Sequence, residues 1–202
     1  SGEIVQAVKN VRQPGGAGRL VALLDDPFIS GFVGFDQVEL EKIRVYDLDL
    51  KFLAESSRGL AGLEPNLAAP LAQAMAQRTG IERLKGMDTL WISATGPMHS
   101  TLVPLGGLRP VGYLEIIANP AFNLPNIGKI TRTSISIFSM AGETLLAAES
   151  GGQNGQLPIE YILHTSTGEA AFRIVGYEDV KTLNAEMDRT RIVTVSGFLA
   201  LT

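Results

Sequence analysis

The sequence predicts an α+β protein built from two antiparallel-sheet units in tandem beside an N-terminal helical stem. Three observations carry this. The segment IRVYDLDLKFLAES at 43–56 recurs as ISIFSMAGETLLAAES at 135–150: an apolar strand, a small polar turn, a second apolar strand, then Ala-Glu-Ser. A closing strand recurs too, LEIIANPAF at 114–122 and FRIVGYEDV at 172–180, with Leu114, Ile116, Ile117 and Ala118 opposite Phe172, Ile174, Val175 and Gly176. Finally, short Gly and Pro turns separate the strands, whereas a parallel sheet needs a crossover helix between each pair.

Taken in order, residues 3–11 place Ile4, Val5, Ala7, Val8 and Val11 at helical spacing, and Pro14-Gly15-Gly16 interrupts them. Helix resumes over 18–25 and is expected to stop at Pro27, while 28–35 matches no pattern. The first hairpin turns at Asp47-Leu48-Asp49, and Gly59, Gly62 and Pro65 break the chain after it. Residues 66–79 are rich in Ala, Leu and Gln and read as helix, with Asn66 as N-cap, Pro70 in the first turn and Gly80 as the stop. Strands at 88–95, 97–105 and 110–119 then form a meander through Gly96-Pro97 and Gly106-Gly107. Residues 120–130 read as a linker. The second unit holds the repeated hairpin, a GGQNGQ loop at 151–156, strands IEYILHTS and EAAFRIVGY joined at Thr167-Gly168, and a helix from Val180 capped by Asp179. The expected division is a stem at 1–42, a larger unit at 43–125 and a smaller one at 126–202.

Composition sets limits on function. Of 202 residues, 45% are apolar and 19% charged, enough for an ordinary core. The net charge of −4 is evenly spread, with no basic stripe, which argues against a nucleic-acid partner. The absence of cysteine excludes thiolate metal sites, with only His99 and His164 a conventional zinc site would be hard to assemble, and no cofactor is expected. The opening Ser-Gly-Glu reads as a trimmed end with a tag scar. The closing IVTVSGFLALT, 192–202, is uncharged but shorter than the roughly 18 to 20 residues that span a bilayer. It reads either as the approach to a membrane anchor or as a last core element.

Strand alternation suggests a site. Trp91, Ser93 and Thr95 share one face of their strand, and Tyr113, Glu115 and Ile117 one face of theirs. If Trp91 and Tyr113 point to the same side, that side combines aromatic, hydroxyl and carboxylate groups, as small-molecule sites do. His99 and Ser100 on the middle strand, and Arg78 at the end of the candidate helix, complete the set. The competing reading makes Trp91 core, Glu115 and His99 solvent-facing, and Arg78 a partner of its helix C-terminus. A hydrolase reading lacks support: there is no G-x-S-x-G elbow, and the spacing gives no reason to bring Asp47, Asp88 and Glu115 together. Gly106-Gly107 and Gly151-Gly152 lack the strand-to-helix context of a phosphate loop. The protein is expected not to be an enzyme.

The leading helix followed by a long and a short unit of this plan resembles the double Cache family, the tandem PAS-like extracytoplasmic sensor domains of bacterial receptors. IRVYDLDLKFLAES, Leu90-Trp91, GGLRPVGYLEIIANP at 106–120 and ISIFSMAGETLLAAES carry the likeness, over about residues 36–185. The resemblance implies two PAS-like units beside a long N-terminal helix, with a small ligand, an organic acid or similar metabolite, held in the membrane-distal unit. It implies a periplasmic location, membrane spans in flanking segments, a homodimer, and an output module of the chemotaxis-receptor, histidine-kinase or diguanylate-cyclase kind. Amino-acid-binding members carry a tight Tyr, Arg, Trp, Tyr cluster. Here Arg78, Arg83 and Trp91 stand at other spacings, which argues against an amino acid as ligand. A periplasmic structural or interaction domain with a vestigial cleft is the alternative.

Overall fold

A computed structural model describes residues 2–30, 39–123, 133–148 and 156–180. The chain divides into two compact units, Ser1–Asn123 with His164–Ala171, and Leu124–Leu163 with Phe172–Thr202.

In the first unit α1 (Gly2–Lys9) and α2 (Gly16–Ser30) precede a five-stranded sheet. Its strands are β1 (Glu39–Tyr46), β2 (Phe52–Glu55), β3 (Met87–Ser93), β4 (Gly96–Leu105) and β5 (Gly112–Asn119), in the order β2-β1-β5-β4-β3. Helix α3 (Ala69–Gln77) and a 3-10 turn (Gly80–Leu84) link β2 to β3, and α4 (Pro120–Asn123) follows β5. Every described ladder is antiparallel.

The stem is two helices, interrupted at Pro14-Gly15-Gly16 as the residues predict, rather than the one long helix that the resemblance implies. Pro27 does not end the second, which runs on to Ser30. A proline inside a helix costs about 3 kcal/mol. Leu20, Leu24 and Phe28, spaced four apart, offset that by packing one stripe against Ile43, Val45, Ala54 and Leu105. Asn66 is not an N-cap either. Helix α3 starts later, at Ala69, with Pro70 in its first turn and no side-chain cap. The carbonyl of Asn66 accepts a hydrogen bond from Arg44 instead, at 3.2 Å.

The second sheet is formed by β6 (Ser134–Ser139), β7 (Thr144–Leu146), β8 (Gln156–His164) and β9 (Ala170–Asp179), in the order β7-β6-β9-β8, and all of it but His164 and Ala170-Ala171 belongs to the second unit. Both sheets therefore put the hairpin at one edge and pair its first strand with the unit's last. The hairpin turns match bond for bond. Asp47 N–H donates to Lys51 O and Leu50 N–H to Asp47 O; Ser139 N–H donates to Glu143 O and Gly142 N–H to Ser139 O. Both ladders bulge just before the turn, between Val45 and Tyr46 and between Ile137 and Phe138.

This geometry corrects two alignments made from sequence. Val45 pairs with Ala54 and Ile137 with Leu146, so Ala54-Glu55-Ser56 corresponds to Leu146-Ala147-Ala148. The second Ala-Glu-Ser lies two residues further on, and its last two members fall outside the described residues. Val45 also pairs with Leu114, and Ile137 with Ile174, so Leu114 matches Ile174 and not Phe172. A slip of two keeps every side chain on its face, which is why the alternation still read correctly. The helix expected from Val180 and the apolar run at 192–202 lie outside the described residues beyond Val180. Among those residues no helix is long and apolar enough to cross a membrane.

Candidate functional site

The first sheet is covered on both faces. Ile43 and Val45 of β1 face α1 and α2. Lys42, Arg44 and Tyr46 alternate with them and face the side on which α3 packs, where Tyr46, Ala68, Leu71, Met75, Leu102 and Tyr113 form a second cluster with Trp91 against it.

On that side the ladder registers line up a cross-strand row, Glu55 to Arg44 to Glu115 to Leu102 to Met87. Arg44, only 1% exposed, donates from Nε to Glu55 Oε2 at 2.9 Å, from Nη1 to Asn66 O at 3.2 Å and from Nη2 to Leu63 O at 3.1 Å. Lys42 donates to Ser56 O at 3.3 Å and Arg58 O at 3.1 Å. Two buried cations thus hold the irregular segment that leads to α3, replacing the backbone partners a regular element would supply. That segment comes very close to β1. At Gly59, φ is +84° and an added Cβ would lie 1.9 Å from Glu41 O, so only glycine fits.

Glu115 is fully enclosed. Its Oε2 accepts from Tyr46 Oη at 2.7 Å, and its Oε1 has no hydrogen-bond partner. Ser100, which accepts from Trp91 Nε1 at 2.9 Å, and the Ala68 amide lie close enough to the carboxylate to favour its charged form, yet neither closes a bond on Oε1. Burial outweighs these contacts and Arg44, and pushes the Glu115 carboxyl above its ordinary value. Burial, then the Glu115 charge, pushes the Tyr46 phenol up as well, so its proton stays on oxygen. The guanidinium of Arg83 lies 6.0 Å over the Tyr113 ring, and its Nη2 donates to Leu48 O at 3.1 Å.

Of the residues singled out from sequence, Trp91, Ser100, Tyr113 and Glu115 come together here. The other three sit elsewhere. His99 is on the opposite phase of β4, 3.6 Å from Asp88 and partly exposed. Ser93 sits at the end of β3, where its hydroxyl donates to Gly96 O at 2.8 Å. Arg78 donates to Glu82 O and Lys85 O, tying down the chain after α3 rather than reaching the sheet. Sequence reading missed Tyr46, Arg44 and Lys42. The signal was available, since the three polar or amphipathic residues alternate with Ile43 and Val45, but it was spent on assigning the strand.

Among the described residues no three His, Asp or Glu side chains group as a metal site would require. A separate cleft of about 200 Å³ opens at the α1–α2 turn beside Asn10, Gln13, Pro14 and Arg19, and no buried polar side chain points into it.

No protein-family model matches the chain, and no curated protein matches it. Solved structures do. The periplasmic domain of Vibrio cholerae LuxQ is 11% identical and superposes with a TM-score of 0.51, covering 89% of this chain and 86% of that one. The ligand-binding domain of the Pseudomonas fluorescens chemoreceptor CtaA, solved with L-isoleucine, is 11% identical with a TM-score of 0.42, covering 91% and 85%. That of the Campylobacter jejuni chemoreceptor Tlp3, solved with L-valine, is 11% identical with a TM-score of 0.41, covering 90% and 84%. The likeness to the LuxQ domain, at 11% identity, is one of fold.

Proposed function

From a tandem PAS-like fold shared with a periplasmic domain, we propose that this chain is the extracytoplasmic small-molecule sensing domain of a bacterial signal-transduction receptor. The output module would be of the chemotaxis-receptor, histidine-kinase or diguanylate-cyclase kind. The observation that carries the reading is the likeness to the LuxQ periplasmic domain along 89% of the chain, together with the repeated sheet order. The first unit is the membrane-distal one and holds the ligand between its sheet and α3. The polar cluster of Tyr46, Ser100, Trp91 and Glu115 supports that placement, because a ligand site is an apolar enclosure with a few aimed polar groups. Ligand binding selects between two arrangements of the terminal segments, paired across a dimer, by its differential affinity for them. No turnover is required.

A second reading, an interaction module, draws on the edge strand β8. There Leu157, Ile159 and Tyr161 alternate along one face and are 54%, 56% and 62% exposed. A thermal-shift screen of organic acids, amino acids, amines and purines separates the two. A ligand that binds only the folded state stabilises it by RT ln(1 + [L]/Kd). One chemical class raising Tm by several degrees at saturating concentration is the expected result. A flat response across all four classes refutes sensing and leaves the interaction module.

A further inference from the structure

The charge layout of the site names the ligand class. Glu115 is completely buried with Oε1 unpartnered, whereas buried carboxylate oxygens are ordinarily all met by donors. The two nearby buried cations are turned elsewhere, Arg44 to Glu55, Leu63 and Asn66, and Lys42 to Ser56 and Arg58. The face therefore offers one carboxylate oxygen that no hydrogen bond closes, although Ser100 and the Ala68 amide lie near the carboxylate, beside the rings of Trp91 and Tyr113.

Resting on the sensing reading above, we infer that the ligand carries a protonated amine, which donates to Glu115 Oε1 while its apolar body lies against Trp91 and Tyr113. An ammonium group supplies both the missing hydrogen bond and the opposite charge, and aromatic faces attract cations. An anionic organic acid, the ligand expected from sequence, would bring a second negative charge to a buried carboxylate. Because Glu115 is fully enclosed, entry of the ligand requires α3 to move off the sheet. That helix is short and has no side-chain cap at its N-terminus.

The test uses pairs of probes with one body and opposite charge: phenethylamine against 3-phenylpropionate, and butylamine against butyrate. Each is titrated into the wild-type domain and Glu115→Gln near neutral pH by thermal shift and calorimetry. The amine of each pair should stabilise the wild type and the acid should not. Glu115→Gln should weaken the amine by at least about tenfold, the worth of a hydrogen bond to a charged group. Stabilisation by the acids instead, or amine binding undiminished in Glu115→Gln, overturns the amine assignment and leaves sensing intact. Silence from both pairs and from the wider screen removes both. Should Glu115→Gln not fold, the wild-type amine affinity followed through acidification serves in its place. It should fall as Glu115 takes up its proton, and an affinity constant with pH overturns the assignment.

Discussion

At matching positions of their ladders the two sheets carry different chemistry. Arg44, Tyr46 and Glu115 of the first correspond to Ser136, Phe138 and Val175 of the second. The second sheet thus loses the buried cation, the phenol hydroxyl and the enclosed carboxylate, while the hairpin turn, the bulge and the strand pairing persist. A shared backbone plan does not demand a polar interior. The first unit maintains one despite the cost of desolvating it, which supports placing the proposed ligand site there.

The largest expected difference lies at Arg44 and Ser136. Arg44→Leu leaves the Leu63 and Asn66 carbonyls and Glu55 without their donor. Breaking a buried pair in this way costs about 3 to 5 kcal/mol. Glu55 is 31% exposed and can turn to water, so the lower end, about 3 kcal/mol, is expected. Ser136→Ala removes a single acceptor, the one Ala148 N–H uses at 3.0 Å, and should cost about 1 kcal/mol. Urea midpoints of the two variants measure the gap. Equal losses would mean that Arg44 does not hold the segment leading to α3.

Glu115 and Val175 differ next. Burial holds the folded-state value of Glu115 above its ordinary value of 4.5, so in the interval between them the folded protein binds more proton than the unfolded one. Its contribution to stability is fully present below 4.5 and is lost as pH rises through the raised folded value. Glu115→Gln should remove that slope and be as stable as wild type, or more so, near neutral pH. Val175→Gln, which buries a new amide in the second sheet, should cost about 1 to 3 kcal/mol without adding pH dependence. Tm followed from pH 4.5 upward tests both. A wild-type profile parallel to that of Glu115→Gln would show that the carboxyl is not shifted.

Much of this comparison was legible in the residues, for identifiable reasons. Strand alternation placed Tyr113 and Glu115 on one face of their strand because a pleated strand has a period of two whatever its neighbours, and the ladder registers then bring Trp91 to the same side. The same period concealed the slip of two in both repeat alignments, since Leu114 against Phe172 or against Ile174 looks alike to a pattern of faces. Register is decided by the hydrogen-bonded turn, and Asp47 and Ser139 share a role there without sharing an identity. Pro27 and Asn66 were misjudged because local preference yielded to packing and to Arg44. Arg78 and Ser93 fell outside the site because each found a backbone carbonyl within a few residues, and no period reports that. The partners of Arg44 at Leu63 and Asn66 depend on an irregular segment that carries no sequence period at all.

The smallest effects belong to the turns, and they test whether the two hairpins are equivalent. The fourth turn residue is Leu50, with φ of 62°, in the first hairpin and Gly142, with φ of 86°, in the second. A side chain in the left-handed region costs roughly 1 to 2 kcal/mol. A Cβ on Gly142 meets nothing within 4 Å, so Gly142→Ala should show that strain alone, about 1 kcal/mol. Leu50→Gly relieves the same strain but withdraws a side chain packed on the cluster of Tyr46 and Met75, so the two terms nearly cancel and stability should move by less than about 1 kcal/mol. A clear stabilisation by Leu50→Gly would mean that the Leu50 side chain adds nothing to that cluster. A clear loss would mean that its packing exceeds the strain, and that the first turn has been shaped by the core beneath it rather than by its own backbone.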